Sequence, residues 1–152
     1  MNSTEGLPAI GPPWSTLTAY DMNKGSIKWR IPLGEVTMLA EKGIHDTGSY
    51  WPRGGPVVTA GGLIIVPTKS DNKLHIYDKE TGKQISEIPM PAGPEGIPAV
   101  YEVAGREYVA ISARPNVEAP GDAQPVGLVP AQVQATQGYY VFALPEASGK
   151  AK

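Results

Sequence analysis

An internal repeat constrains this 152-residue chain more than any other feature of its sequence. Residues 19–29 and 76–86 align with Tyr, Asp and Gly at the same places, and an Ile-Pro pair follows both copies. The copies are 57 residues apart, measured from Asp21 to Asp78. Compact four-stranded propeller blades take roughly 40 to 50 residues and a long connection adds more, so this period predicts a solenoid or a propeller.

Each copy of the repeat indicates a β-hairpin. A strand of alternating apolar and polar residues ends at the Tyr-Asp pair, a turn that contains Gly follows, and a second strand begins. In the first copy Ile27, Trp29 and Ile31 recur at every second position, so their side chains would share one face of a strand. Both copies are therefore predicted to form antiparallel strand pairs.

A complete four-stranded blade is predicted from about residue 55 to residue 89. Its first two strands, residues 55–60 and 63–67, flank a Gly-Gly dipeptide that suits a two-residue hairpin turn. Residues 73–78 and 83–88 add the two outer strands.

Two incomplete blades flank this unit in a single partial β-propeller domain, residues 1–152. Residues 15–32 supply the outer half of a preceding blade, and residues 97–145 supply three strands of a following one, with long loops at 34–53 and 114–137. The predicted fold class is all-β, a β-propeller fragment of a little over two four-stranded antiparallel blades. Since propellers use roughly four to eight blades, the open sheet edges must be covered by something else.

Composition agrees with a turn-rich β domain and excludes several partners. The chain has 18 Gly and 16 Pro, which disfavour long helices, and only 18% charged residues. Without a basic run, and with a net charge of −2, nucleic acid is not expected as a partner. No apolar stretch approaches the roughly 20 residues that span a bilayer, and no signal peptide is expected at residues 1–6. The chain has no cysteine for disulfides or thiolate metal sites.

The order of several motifs resembles that of a known family. Residues 12–21 and 53–64 look like the quinoprotein glucose dehydrogenase group, and three later stretches agree in the same order: residues 71–83, 91–111 and 140–145. The resemblance is to the C-terminal part of pyrroloquinoline-quinone-dependent glucose and alcohol dehydrogenases. It implies an eight-bladed propeller, pyrroloquinoline quinone with a divalent cation, usually calcium, the oxidation of sugars or alcohols, and a periplasmic location.

The sequence also departs from the family pattern. The family's catalytic carboxylate, its quinone-contacting basic residue and its main metal ligands lie in earlier blades, so the resemblance assigns no catalytic residue and no metal ligand to this chain. Many relatives have a short Gly-rich loop where this chain has a long Pro-rich insertion, residues 114–137. Ser86 stands where a Trp that locks neighbouring blades is expected.

Four residues are candidates for binding the cofactor. Trp51 and Arg53 precede the innermost strand of the complete blade, where propeller loops face the axial channel, and an aromatic ring beside a cation suits a planar anionic quinone. Arg114 and Asn116 follow another strand end and are candidates for the same role. The alternative is that Trp51 fills a blade interface and Arg53 pairs with a carboxylate.

Other polar residues carry weaker signals. Asp21, Asp71 and Asn72 lie at strand ends, where such side chains are expected to cap turns rather than bind calcium. His45, followed by an aspartate in the first long loop, is expected to be solvated, and His75 is expected on the surface of its strand.

Three functions fit these features. The first is a C-terminal propeller segment of a quinoprotein dehydrogenase, completed by missing blades from another chain that supply the catalytic residues. The second is a non-catalytic propeller fragment that self-associates into a homo-oligomer and acts as a scaffold or binding module. The third is a carbohydrate-binding role for Tyr50, Trp51 or Tyr139 on the loop face.

Overall fold

A computed structural model describes residues 7–114 and 137–144 of the chain. Within these residues nine strands form three antiparallel sheets beside one short helix, which confirms the all-β fold class. The elements are β1 Thr16–Asp21, β2 Ser26–Pro32, α1 Thr37–Ala40, β3 Val57–Val58, β4 Leu63–Thr68, β5 Lys73–Asp78, β6 Gln84–Pro89, β7 Gly93–Val103, β8 Arg106–Arg114 and β9 Gly138–Ala143. No helix in the described part of the chain is long and apolar enough to cross a membrane.

Each sheet is a meander in which strands that follow one another in sequence are neighbours. The first blade is the β1–β2 pair, the second is β3–β4–β5–β6, and the third is β7–β8–β9. A meander of up to four antiparallel strands is the form of a propeller blade, so the chain contributes one full blade and parts of two others.

The β1–β2 and β5–β6 turns have the same hydrogen bonds. Oδ1 of Asp21 accepts from the backbone N–H groups of Asn23 and Lys24 at 3.0 and 3.2 Å. Oδ1 of Asp78 accepts from the backbone N–H groups of Glu80 and Thr81 at 3.0 and 2.8 Å. These aspartates therefore cap their turns, and each turn closes on a glycine of positive φ.

The first blade packs on the second through the repeat itself. The Trp29 indole covers Gly82, where an added Cβ would lie 2.8 Å from the ring, and its Nε1 donates to the carbonyl oxygen of Lys79 at 3.1 Å. Lys28 pairs with Glu80 beside this contact. The apolar cluster between the two blades consists of Leu17, Trp29, Ile31, Leu33, Ile64, Val66 and Tyr77.

The second and third blades meet without a tryptophan at this position. Ser86, the counterpart of Trp29 in the repeat, is exposed on β6. Contact is made near the inner strands instead, where Gly54 forms a parallel bridge with Gly96. The apolar cluster on this side consists of Met90, Ala92, Ile111 and Ala113, with Tyr140 and Phe142 packed against it.

The structure differs from the sequence expectation in the first long loop. Residues 34–53 contain α1 and part of a third buried cluster, in which Val36 and Leu39 pack with Leu7, Trp14, Met38 and Tyr50. The β3 strand is only two residues long, because the backbone groups of Arg53 and Gly55 before it bond to Gly96 of β7 instead. The connection is thus a folded part of the molecule.

Candidate functional site

The segments that connect the strands lie together at one end of the second and third blades. The register pairs Thr68 with Lys73 and Gly93 with Arg114, so the ends of β4 and β8 lie beside the starts of β5 and β7. The hydroxyl of Ser70 donates to the carbonyl oxygen of Glu35 at 2.9 Å, which holds the first long connection at the same end. We call this region, made of residues 33–56, 69–72 and 90–96 with Arg114, the loop end.

Trp51 and Arg53 lie together at the loop end. The guanidinium carbon of Arg53 is 4.7 Å from the centroid of the Trp51 ring, and the indole remains 39% exposed. A cation over an indole at an exposed site contributes about 0.5–1 kcal/mol. The arrangement offers solvent both an aromatic surface and a positive charge.

Arg114 ends β8 and is held by the Glu95 carboxylate. Its Nε donates to Oε2 of Glu95 at 2.8 Å, while Lys69 pairs with the other oxygen of the same group. Burial raises the pKa of Glu95, but its bonds to Lys69 and Arg114 outweigh that effect and hold the pKa below its ordinary value. The Arg114 side chain is still 49% exposed. Asn116 lies outside the described residues.

A short backbone link connects the two candidate arginines. Gly96 N–H donates to the carbonyl oxygen of Arg53 at 3.0 Å, and Gly55 N–H donates to the carbonyl oxygen of Gly96 at 3.2 Å. Gly96 follows Glu95, where the register of β7 shifts, and has a φ of +84°, which favours glycine. At this bulge Glu95 holds Arg114. The next residue, Gly96, bonds to Arg53.

An open cleft of about 230 Å³ lies against the Arg114 side of the loop end. Ser112 Oγ donates to the carbonyl oxygen of Glu95 at 2.7 Å in its wall, and the Tyr139 side chain is 82% exposed. The lining residues are Glu95, Ser112, Ala113, Arg114, Gln137, Gly138 and Tyr139.

A buried polar network lies beneath the loop end, and the expectation that His75 lies on the surface was wrong. Asp71 is more than a turn cap: its carboxylate is buried and accepts from the Thr68 hydroxyl and, at 3.2 Å, from Glu35 N–H. His75, expected on the surface, is only 3% exposed, with Nε2 2.9 Å from Oδ2 of Asp71. Its ring stacks on Tyr77, with 5.9 Å between centroids.

The remaining candidates do not assemble a catalytic or metal centre. His45 is exposed, and its Nδ1 lies 3.4 Å from Oε2 of Glu35. Within residues 7–114 and 137–144, no three His, Cys, Asp or Glu side chains converge to hold a metal ion.

Tyr50 is not available as a stacking platform. It is half-buried and stands edge-on to Trp14, with ring centroids 6.4 Å apart and an interplanar angle of 90°. Burial raises the pKa of Tyr50 to about 12. Of the three aromatic residues considered for carbohydrate binding, Trp51 and Tyr139 present exposed rings.

Residues 1–109 match the family model of the glucose/ethanol/alcohol dehydrogenase β-propeller domain. The large subunit of glycerol dehydrogenase from Gluconobacter oxydans is 36% identical over 114 residues, which cover 71% of this chain and 15% of that protein. Quinate/shikimate dehydrogenase (quinone) from Acinetobacter baylyi is 33% identical, over 73% of this chain and 14% of that protein. Quinoprotein glucose dehydrogenase from Escherichia coli is 30% identical, over 71% and 14%. The chain thus spans about one seventh of the length of these relatives.

Proposed function

The chain belongs to the β-propeller family of glucose, ethanol and alcohol dehydrogenases, and we propose that it is the C-terminal propeller segment of an enzyme that oxidises sugars or alcohols with pyrroloquinoline quinone. The observation that carries the proposal is the loop end, where Trp51, Arg53 and Arg114 present an aromatic ring and two guanidinium groups on neighbouring blades. The catalytic residues would come from blades outside this chain.

The exposed groups at the loop end fit a planar anionic quinone. A guanidinium plane can stack on a conjugated ring and can donate two parallel hydrogen bonds to a carboxylate. Arg53 supplies such a plane beside the Trp51 indole, and Arg114 directs its Nε to Glu95. When bound, the quinone supplies an acceptor for the hydride of the substrate's carbinol carbon. The residues of this chain would bind and orient it.

A divalent cation beside the quinone needs several oxygen ligands. Among residues 7–114 and 137–144 no three potential metal ligands come together, and we propose that other blades bind calcium at the cofactor. The buried carboxylate of Asp71 is engaged with Thr68, Glu35 and His75.

The missing blades would cover the open face of the third blade. On this face Tyr101 stacks on Tyr108 with 5.5 Å between centroids, and Val141, which is opposite Ala110, is exposed. Facing sheets of adjacent blades bury such side chains, which is why we propose that the blades come from the remainder of a longer enzyme or from another chain. We propose the periplasm as its compartment by analogy with the family. The family match makes the self-associating scaffold the less favoured alternative.

A chimera tests this function directly. The homologous C-terminal segment of the Escherichia coli glucose dehydrogenase is replaced by this chain, and dye reduction with glucose is measured with increasing pyrroloquinoline quinone. We expect quinone-dependent oxidation, with a quinone requirement that rises about tenfold or more in the R53A/R114A variant. The matched control is R30A, which removes an exposed arginine of β2 in the first blade, whose Nε donates to the Thr18 hydroxyl at 3.2 Å. A folded chimera that binds no quinone would overturn the proposal.

A further inference from the structure

Glu95 occupies the point where the two blades and both candidate arginines meet. Its carboxylate pairs with Lys69 from the β4–β5 turn of the second blade and with Arg114 at the end of β8 in the third. The backbone of Gly96, the next residue, bonds to that of Arg53. One dipeptide therefore contacts Lys69, Arg114 and Arg53.

The local backbone explains why this side chain points into the junction. The register between β7 and β8 shifts after Glu95, and Gly96 leaves the normal extended conformation with a φ of +84°. Bulges of this kind redirect a side chain and are frequent beside functional sites. The Ser112 hydroxyl donates to the Glu95 carbonyl oxygen at 2.7 Å and fixes the bulge from the β8 side.

Glu95 and its two cationic partners differ in how far their side chains are exposed to water. The Lys69 side chain is 13% exposed and that of Glu95 21%, whereas that of Arg114 is 49% exposed. The Lys69 pair is thus shielded from water and fastens the blades, while Arg114 keeps an open side toward the cleft. The Glu95 carboxylate thus orients Arg114, about half of whose side chain stays exposed.

We propose that Glu95 is a positioning residue: it aims the Arg114 guanidinium, and through Gly96 the Arg53 segment, at an anionic ligand, and it holds the second and third blades together at the loop end. Only the identity of the ligand, the quinone, rests on the proposed function.

The first measurement needs no ligand. In the complete chain, hydrogen exchange is followed by NMR at the Arg114 Nε–H and at the Gly96 amide. We expect about tenfold faster exchange at both in E95Q, which keeps the size of the side chain and removes its charge. The matched control, E87Q, removes the carboxylate of the exposed Lys73–Glu87 pair, whose nitrogen–oxygen distance is 2.7 Å, and should change neither rate by twofold. Equal rates in E95Q and the wild type would overturn the proposal.

The second measurement separates positioning from mere fastening of the blades. The exchange variant K69E/E95K keeps an opposite-charge pair between the blades but places a cation beside Arg114. We expect this variant to regain most of the thermal stability that E95Q loses, but not the protection of Arg114 Nε–H. If E95Q does not fold, this variant is measured alone. Restored Arg114 protection in it would contradict the positioning role.

The third measurement uses the chimera with bound quinone. We expect E95Q to raise the Kd for the quinone about tenfold and to leave kcat at saturating quinone unchanged, with partial rescue by E95D. If the wild-type chimera binds no quinone, the proposed function fails and the exchange measurements still decide the role of Glu95. If the wild type binds it and E95Q binds it equally well, the role of Glu95 toward the ligand is refuted.

Discussion

The Trp29 indole lies against the backbone of Gly82 in the turn of the next blade, close enough to leave no room for a Cβ atom. Gly82 has a φ of +71°, so this position needs glycine for its backbone conformation as well as for the contact. The two copies of the sequence repeat thus contact each other: the first supplies the Trp29 ring, and the second supplies a glycine that leaves room for it.

Gly82→Ala is expected to lower the free energy of unfolding by about 3 kcal/mol, because the methyl group adds a clash with Trp29 to the cost of about 1–2 kcal/mol for a left-handed alanine. Gly25→Ala is the matched control: its φ is +65°, but open space surrounds it, so only the backbone cost applies. Urea unfolding measures both. Equal losses would show that the Trp29 contact contributes nothing.

Asp71→Asn is expected to cost about 3 kcal/mol of stability, since it removes the charge from a buried carboxylate that accepts from Thr68 and Glu35 and contacts His75. Asp46→Asn, at an exposed site with a φ of +57° that Asn tolerates, should change stability by less than about 0.5 kcal/mol. Thermal unfolding followed by circular dichroism checks the difference. A small loss at Asp71 would mean that the network is not buried in solution.

Acid is expected to weaken the junction at Glu95. Its pKa is held below the ordinary value of 4.5, so its stabilising contribution is present above pH 4.5 and is lost as the pH falls through the folded-state pKa. Urea midpoints measured from pH 6 to about pH 3 should therefore fall less steeply in E95Q than in the wild type. Parallel pH profiles would indicate that Lys69 and Arg114 do not hold the carboxylate in its charged form.

Alkali is expected to weaken the cluster around Tyr50. Burial raises the pKa of this phenol from 10.0 to about 12, so its contribution is complete below pH 10 and is lost as the pH rises toward 12. Tyr50→Phe keeps the edge-on ring against Trp14 and should reduce this alkaline loss of stability. Stability measured by urea unfolding between pH 9 and pH 12 provides the test. The prediction fails if the variant and the wild type lose stability in parallel.

The local parts of the fold were predictable because their signals lie within a few residues. The Tyr-Asp ends and the following glycines mark the turns at Asp21 and Asp78, and alternation marks the strands beside them. The burial of Val36 and Leu39 was not predictable in this way, since it depends on Leu7 and other residues distant in sequence.

In the candidate site, too, residues were predictable only where the signal is local in sequence. Trp51 and Arg53 could be singled out because they lie two residues apart before a strand. Glu95 could not, because its partners Lys69 and Arg114 come from two other parts of the chain. His75 was missed for a related reason: β5 is covered on both faces, which the unbroken pattern of bulky residues at 74–77 signals only weakly.

The exposed Ser86 affects how the second and third blades are joined. With no ring on β6 to fasten it to its neighbour, the second blade is joined to the third along its inner strands and at the loop end. We expect any separation of the two sheets to begin at their outer strands. Such a separation would leave the contacts of Arg53 and Arg114 at the loop end intact.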